Sequence, residues 1–318
     1  MIGPFGLAAK STMRERALPM ARALAERGHR VAVIVPPWDN PEAAGQRWTD
    51  AGVDVINTPL PRAPGPLYHL QLSARLARLA MERQPDVIHL FKPKAYAGLA
   101  HLLLRPLKRL GRHRAKLVVD SDDWERAWNA LNDYTPLQKR FFAWQEPWGL
   151  THADAVTVAS QTLRQLVEGL QVPPQKIFYL PNGVRPANGG SPLTGGAVRG
   201  RHNLLDRPVI LLYTRFFEYR LDFLLAVVAG VARLLPEARW LVVGRGYFGE
   251  QVELARLAKE QNLTQYLVFA GWVAQAELPR YFAAANAAFH PYDDTLINRA
   301  KCSVKLLDLL AAGVPVVA

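Results

Sequence analysis

Two successive α/β domains, each built on a parallel sheet with crossover helices, are what the sequence predicts. Short runs rich in Val, Ile and Leu alternate with helical patterns almost throughout, as strands buried on both faces require. Residues 186–207, rich in Gly, Pro, Asn and Ser and without a hydrophobic period, divide the series in two. With 318 residues, 50% hydrophobic and 21% charged, the chain is long enough for two separate cores.

In chain order, Gly3-Pro4-Phe5-Gly6 reads as the loop after the first strand of a nucleotide-binding domain, yet only Met1 and Ile2 precede it. A doubly wound sheet places that strand at its centre, so the chain is expected to begin late. Strands are predicted at 31–35, 53–56, 87–90, 117–119, 155–158 and 177–180, giving a first domain over 1–185. After the 186–207 linker or loop, strands at 209–213, 240–243, 267–269, 287–290 and 315–318 give a second over 208–318. Its last segment is a helix capped by Ser303 and ended by Gly313, running into the apolar strand Pro315-Val316-Val317-Ala318. The sequence stops mid-strand, so this domain too is expected to be incomplete.

The formal charge of +12 calls for an anionic partner: nucleotide phosphate, acidic lipid or nucleic acid. Between Val87 and Val119 there is no acidic residue, whereas Lys92, Lys94, Arg105, Lys108, Arg109, Arg112, Arg114 and Lys116 are basic. Leu102, Leu103, Leu104, Leu107 and Leu110 interleave with these charges. The stretch suits either an anionic membrane surface or a solvated helix limited by Pro106 and followed by a basic loop. No apolar run reaches the length of a spanning helix, and the N-terminus does not read as a signal peptide. Cys302, the single cysteine, permits no internal disulfide and fits a reducing compartment. The expected location is cytoplasmic, with peripheral attachment at the inner face of the membrane as an option.

Several side chains are placed for chemistry. The helix N-terminus at Ser303 is an anion site by its unpaired N–H groups and dipole, and Lys305 adds a full charge. Asp308, three positions on, lies on the same face, where its carboxylate can accept hydrogen bonds from ribose hydroxyls; an ordinary solvated Lys–Asp pair is the alternative. Arg215 and Arg220 flank the end of the 209–213 strand and can clamp a diphosphate, or else pair with Glu218 or Asp222. Asp120-Ser121-Asp122-Asp123 follows the 117–119 strand and can hold sugar hydroxyls, a divalent cation or a proton, or cap a helix. His89 and His290 sit at strand ends as site or structural residues. Gly244-Arg245-Gly246-Tyr247-Phe248-Gly249 matches G-x-G-x-x-G, but it is not in the first βα unit of its domain, and the next strand lacks the acidic residue a dinucleotide needs. Gly244 and Gly246 still allow close approach of backbone to a ligand. The sequence contains no G-x-S-x-G, H-E-x-x-H, Walker lysine motif or paired CxxC, which removes common hydrolases, kinases and zinc modules from the leading readings.

The order of these motifs resembles the family-4 (group 1) retaining glycosyltransferases of the GT-B fold over nearly the whole chain. Its carriers are the N-terminal Gly-rich loop, the helix-to-strand step Ala23-Leu24-Ala25-Glu26-Arg27-Gly28-His29-Arg30-Val31, Pro181-Asn182-Gly183-Val184, Arg215 with Arg220, and Val243-Gly244-Arg245-Gly246. Phe269-Ala270-Gly271-Trp272-Val273, Ala283-Ala284-Ala285-Asn286-Ala287 and Gly313-Val314-Pro315-Val316-Val317 follow. The resemblance implies two Rossmann-like domains facing a cleft, a nucleotide-diphosphate sugar as donor substrate mainly on the second, and a glycan, lipid-linked or small-molecule acceptor on the first. It implies no metal and no separate cofactor. Arg215 and Arg220 would neutralise the leaving diphosphate, an electrostatic role. Gly6, Gly244, Gly246, Ser303, Lys305 and Asp308 would bind the donor, Asp308 holding the ribose. Two departures stand out. The first of the family's two glutamates falls at Ala300, for which Asp294 or Asn298 is a substitute, and the family's histidine falls at Asp122, which is placed in the site as an acid. These departures leave a GT-B epimerase or a non-catalytic sugar-nucleotide-binding module as the alternative. A nucleic-acid partner rests on charge alone, without a recognition motif, and is not expected.

Overall fold

The structure, a computed structural model, is described for residues 1–7, 12–184 and 194–318. The chain divides into two compact units, one of residues 1–182 with 299–302 and one of residues 183–298 with 303–318. Of the 186–207 junction, residues 186–193 lie outside the described residues, and Gly196–Arg201 is a helix whose Val198 joins the second unit's core. No hydrophobic period announces that helix because a single buried valine anchors it.

In the first unit, β1 (Val31–Val35) pairs with β3 (Val53–Asn57) in parallel, and β2 (Arg47–Asp50) pairs with β3 antiparallel. β2, Arg47-Trp48-Thr49-Asp50, is exposed along nearly all of its length and contains no apolar run, which hides it from a search for buried strands. The strands β4 (Val87–Phe91), β5 (Lys116–Ser121), β6 (Ala155–Val158) and β7 (Ile177–Tyr179) follow one another in parallel. Ile2 bridges Ile34 of β1 and Leu90 of β4, both in parallel, so Met1 and Ile2 lie at the centre of the sheet where its order reverses. Ile2 is fully buried, and its N–H and carbonyl pair with His89 and Phe91 at 2.8 and 2.9 Å.

The second unit holds a five-stranded, all-parallel sheet in the order β10-β9-β8-β11-β12. Its strands are β8 (Val209–Tyr213), β9 (Arg239–Val243), β10 (Leu267–Gly271), β11 (Ala287–Phe289) and β12 (Val316–Val317). Order reverses between β8 and β11, and ligands of open α/β sheets bind beyond the carboxyl ends of strands at such a reversal. Ser303 caps the helix Val304–Ala311 by accepting a hydrogen bond from the Leu306 N–H at 3.3 Å, and Gly313 ends it at φ +72°.

One ion pair ties the first unit's strand ends together. Arg16, in the π-type turn Thr12–Ala17, donates from Nε and Nη2 to the two oxygens of Asp120, each at 2.7 Å, with both side chains buried. The same guanidinium donates to the Leu180 carbonyl at 2.8 Å and to Asn182 Oδ1 at 3.0 Å. Asp120 also accepts from Thr157 Oγ1 at 2.5 Å, and His89 contacts that hydroxyl at 3.1 Å. Asn182 in turn donates to the Cys302 carbonyl and Ser160 to the Ala300 carbonyl, both at 2.8 Å, which docks residues 299–302 on the first unit. Asp120 is thus a structural clamp. Arg16→Ala leaves its charge buried and uncompensated, and a loss of about 3–5 kcal/mol is expected in urea unfolding. Arg22→Ala, which breaks the half-open pair with Asp50, is expected to cost no more than about 1 kcal/mol.

His101, buried on the helix Ala95–Arg109 edge-on to Trp148, is depressed from 6.5 to about 4, by burial first and then by Arg105. A proton bound only by the unfolded chain between these values makes stability fall as pH drops from 6.5 to 4, with the full contribution present above 6.5. Glu146, raised to about 8 by burial and by Glu125, acts in the opposite sense between 4.5 and 8. A comparison of His101→Phe with the parent isolates the histidine: the variant's acid limb is expected to be shallower by one proton, on the order of 3 kcal/mol by pH 4.

Candidate active site

In the second unit the carboxyl ends of β8 and β11 and the helix Val304–Ala311 enclose a small pocket lined by Thr214, Glu218, Tyr219, His290, Tyr292 and Lys305. Glu218 is its electrostatic centre. Its Oε1 lies 3.8 Å from Arg215 Nε and 3.7 Å from Lys305 Nζ, so one buried carboxylate gathers two cations. The backbone carbonyl of Glu218 accepts from Asn298 Nδ2 at 2.6 Å and from the Asp293 N–H at 2.9 Å, which fixes the residue from behind. His290, buried after β11, contacts Ser303 Oγ at 3.1 Å and packs on Tyr292. Lys305 Nζ stands 5.7 Å above the Tyr213 ring, a second cation-holding contact. Asp308 is half-buried one turn further along the helix.

Arg215 is held in a fixed plane. Its Nη1 donates to Tyr247 Oη at 2.8 Å, and its guanidinium lies over the rings of Phe217 and Tyr247 at 5.2 and 5.7 Å. Arg220 is 72% exposed and pairs with Asp222 at 3.4 Å, outside the group gathered by Glu218. In the 244–249 loop, Gly244 answers to packing and Gly249 to its backbone, with φ +87°. At Gly244, with φ +135°, a Cβ would lie 1.8 Å from the Thr214 carbonyl oxygen. The Gly246 N–H donates to Gln251 Oε1 at 2.9 Å and the Phe248 N–H to Glu250 Oε2 at 2.7 Å. Two amides that a dinucleotide pyrophosphate would use are thus engaged within the loop itself.

In the first unit the ends of β4 and β5 meet in a cluster of charge. Lys92 Nζ lies 2.9 Å from Asp122 Oδ1, 3.0 Å from Asp123 Oδ2 and 2.7 Å from Glu125 Oε1. Thr12 donates to Asp122 Oδ2 at 2.8 Å. Lys94 reaches the other oxygen of Glu125 at 3.2 Å and Asn129 Oδ1 at 2.9 Å, beneath the rings of Tyr134 and Phe142. Glu146 accepts the N–H groups of Glu125 and Arg126, each at 2.8 Å. Burial pushes the Asp122 carboxyl up, but Lys92 and Arg16 outweigh it and hold the group below the usual carboxylate range. Burial raises Asp123, aided by its acidic neighbours Asp122 and Glu125. Carboxylate oxygens of Asp122, Asp123 and Glu125 lie within 4.8 Å of one another, a spacing able to hold a cation, and the Lys92 ammonium occupies it. Gly6 packs in the loop after Ile2, where a Cβ would approach Asp39 Oδ1 to 3.3 Å and Pro37 Cα to 3.5 Å.

Ser303, Lys305 and Arg215 therefore converge around Glu218 and His290, whereas Asp122 and Gly6 belong to the first unit and Arg220 stands apart at a helix start. Asn298, a sequence-level substitute for the missing glutamate, binds backbone carbonyls of Glu218 and Asp293 instead, and Ala300 is a fully buried core residue of the first unit. Glu218 and Lys92 were hidden in the sequence for one reason: Glu218 reads as a local partner of Arg215, and Lys92 as one member of a basic run. Placement after a strand end was the signal available: Lys92 follows β4 directly, and Glu218 lies five residues past β8.

Residues 11–183 match the model of a glycosyl transferase 4-like domain, and residues 207–318 that of glycosyl transferases group 1. A GDP-mannose-dependent alpha-(1-6)-phosphatidylinositol monomannoside mannosyltransferase of Mycobacterium tuberculosis is 26% identical over 308 residues, 94% of this chain and 74% of that protein. Among solved structures, Anabaena Alr3699/HepE with UDP and glucose superposes with a TM-score of 0.68 at 18% identity, over 99% of this chain and 79% of that one. The catalytic domain of starch synthase IV from Arabidopsis thaliana gives 0.71 at 14% identity, over 99% and 81%. Two parallel-sheet units, the strand-end cation group and matches across both halves place this chain in the group 1 glycosyltransferases of the GT-B fold.

Proposed function

We propose that this glycosyltransferase takes its sugar from a nucleotide-diphosphate donor bound by the second unit and transfers it with retention of configuration. The observation that carries the proposal is the convergence of Arg215 and Lys305 on Glu218 beside the helix N-terminus at Ser303, at the point where sheet order reverses. As the bond from the anomeric carbon to the diphosphate oxygen breaks, negative charge grows on the diphosphate, and preorganised cations at that oxygen lower the barrier. The departing phosphate takes the proton of the acceptor hydroxyl on the same face of the sugar, so no protein base is needed there. Asp308, one turn from Lys305, suits the ribose hydroxyls. No cofactor beyond the donor is called for.

The relatives differ in nucleotide, GDP-mannose in the name of the mycobacterial enzyme and UDP with HepE, so the base is read by experiment. Calorimetric titration of UDP-, GDP- and ADP-sugars is expected to show saturable binding of one class. Asp308→Ala should weaken it by about 1.5–3 kcal/mol, and Arg215→Ala should weaken it as well. Donor binding without transfer to any glycan or lipid acceptor would turn the assignment to a GT-B epimerase or non-catalytic binder, a reading that Ala300 and Asp122 favour.

A lipid-linked acceptor, and residence at the cytoplasmic face of an anionic membrane, extend the same reading. Support comes from exposed side chains of the first unit and not from the whole basic stretch, since Leu104 is buried and Lys108 and Arg105 pair with Asp154. Leu110, Arg109, Arg112 and Arg114 are exposed at and after the C-terminus of the helix Ala95–Arg109, and Leu137 and Trp144 are exposed on the helix Pro136–Thr151. Among the described residues no helix is long and apolar enough to cross a membrane. Flotation with phosphatidylglycerol vesicles is expected to exceed that with phosphatidylcholine and to fall in Trp144→Ser; equal partition would defeat the membrane assignment.

A further inference from the structure

We propose that Lys92 is the positioning residue of the first unit's charged site, its ammonium standing where a divalent cation would sit among Asp122, Asp123 and Glu125 and fixing the Asp122 carboxylate at the end of β5. The proposal rests on the reading of Asp122 as a group that faces substrate. Three features of the geometry carry it. First, the ammonium meets one oxygen of each of three separate residues at 2.7–3.0 Å, donating hydrogen bonds to Asp123 and Glu125 and ion-pairing with Asp122. A planar guanidinium cannot satisfy three acceptors so arranged, and a neutral residue would leave three acids facing one another.

Second, the other oxygen of Asp122 accepts a hydrogen bond from Thr12 at 2.8 Å, so the carboxylate is set between that hydroxyl and the ammonium, which lies 2.9 Å from Oδ1. Third, the backbone is bent to deliver this side chain. Lys92 has φ +64° and Ala95 φ +53°, conformations that cost a non-glycine residue about 1–2 kcal/mol. The surrounding contacts maintain them: the Lys92 N–H donates to the Asp120 carbonyl at 3.0 Å, and the Gln145 amide both accepts from the Ala95 N–H at 2.9 Å and donates to its carbonyl at 3.3 Å. Strain kept at the carboxyl end of a strand, beside the reversal of sheet order, marks a positioned group. The carboxylate oxygens lie within 4.8 Å of one another, about twice a calcium–oxygen bond, so removal of the ammonium leaves a ligand set of the right span for a hard cation.

The experiment uses the full chain and Tb³⁺, read by luminescence sensitised by Trp124, the buried neighbour of Asp123. Lys92→Met and Lys92→Gln are expected to bind Tb³⁺ at least tenfold more tightly than the parent. In transfer assays they should lower kcat with little change in KM for the donor. The same Tb³⁺ response in parent and variants of native circular dichroism, or an unchanged kcat, would overturn the proposal and leave Lys92 a structural ion-pair partner. Should the single variants not fold, Lys92→Met combined with Glu125→Gln removes one charge of each sign and is read in the same assay, with tighter Tb³⁺ binding than the parent again required. An absence of transfer by the parent would count against the proposed function alone, since the Tb³⁺ titration needs no substrate.

Discussion

The Arg16–Asp120 pair is the constraint on which the first unit depends. A buried ion pair stabilises only when its geometry is good and its remaining hydrogen-bonding groups are satisfied. Here the guanidinium meets both carboxylate oxygens, the Leu180 carbonyl and Asn182, while Thr157 completes the acid. The effect is to lock the π-type turn, the end of β5, the side of β6 and the exit of β7 into one arrangement. Asp122 follows Asp120 by two residues, and Thr12 precedes Arg16 by four, so the same turn and the same strand end that make the clamp also carry the contact between Thr12 and Asp122. Placement of the charged site is a consequence of how the sheet is fastened.

The second unit solves a similar problem with a different device. Two cations beside each other repel, and Glu218, buried and pinned through its carbonyl by Asn298, lets Arg215 and Lys305 stay together without a ligand. Tyr247 and Phe217 fix the plane of Arg215, so the guanidinium does not need to be ordered when an anion arrives. The glycine loop supplies that tyrosine. Its own amides at Gly246 and Phe248 are engaged by Gln251 and Glu250, which stiffens the loop.

Basic residues of the 87–119 stretch have divided fates that charge counting could not foresee. Lys92 and Lys94 turn inward to buried acids, Arg105 and Lys108 pair with Asp154, and Arg109, Arg112 and Arg114 remain on the surface. Exposed apolar groups of the first unit also come from the helix Pro136–Thr151, along which aromatic rings are in contact from Phe141 through Trp144 and Trp148 to His152. Nothing in its hydrophobic content separates this half-exposed ladder from an ordinary core face.

By itself the sequence determined the α/β class, the parallel strands, the cap at Ser303 and the positions of Arg215, Lys305 and Asp122 at strand or helix ends, because each depends on local periodicity or on a neighbour a few residues away. The tertiary structure alone decided which side chains meet. Arg16 and Asp120 are 104 positions apart, Lys92 and Glu125 are 33 apart, and Glu218 reaches Lys305 across most of a domain. The antiparallel β2 and the short helix Gly196–Arg201 escaped for a related reason, their stability coming from the sheet edge and the core they join rather than from any pattern of their own. Local pattern fixes what most segments become; the identity of a charged residue's partner is set by sheet order, which no local pattern carries.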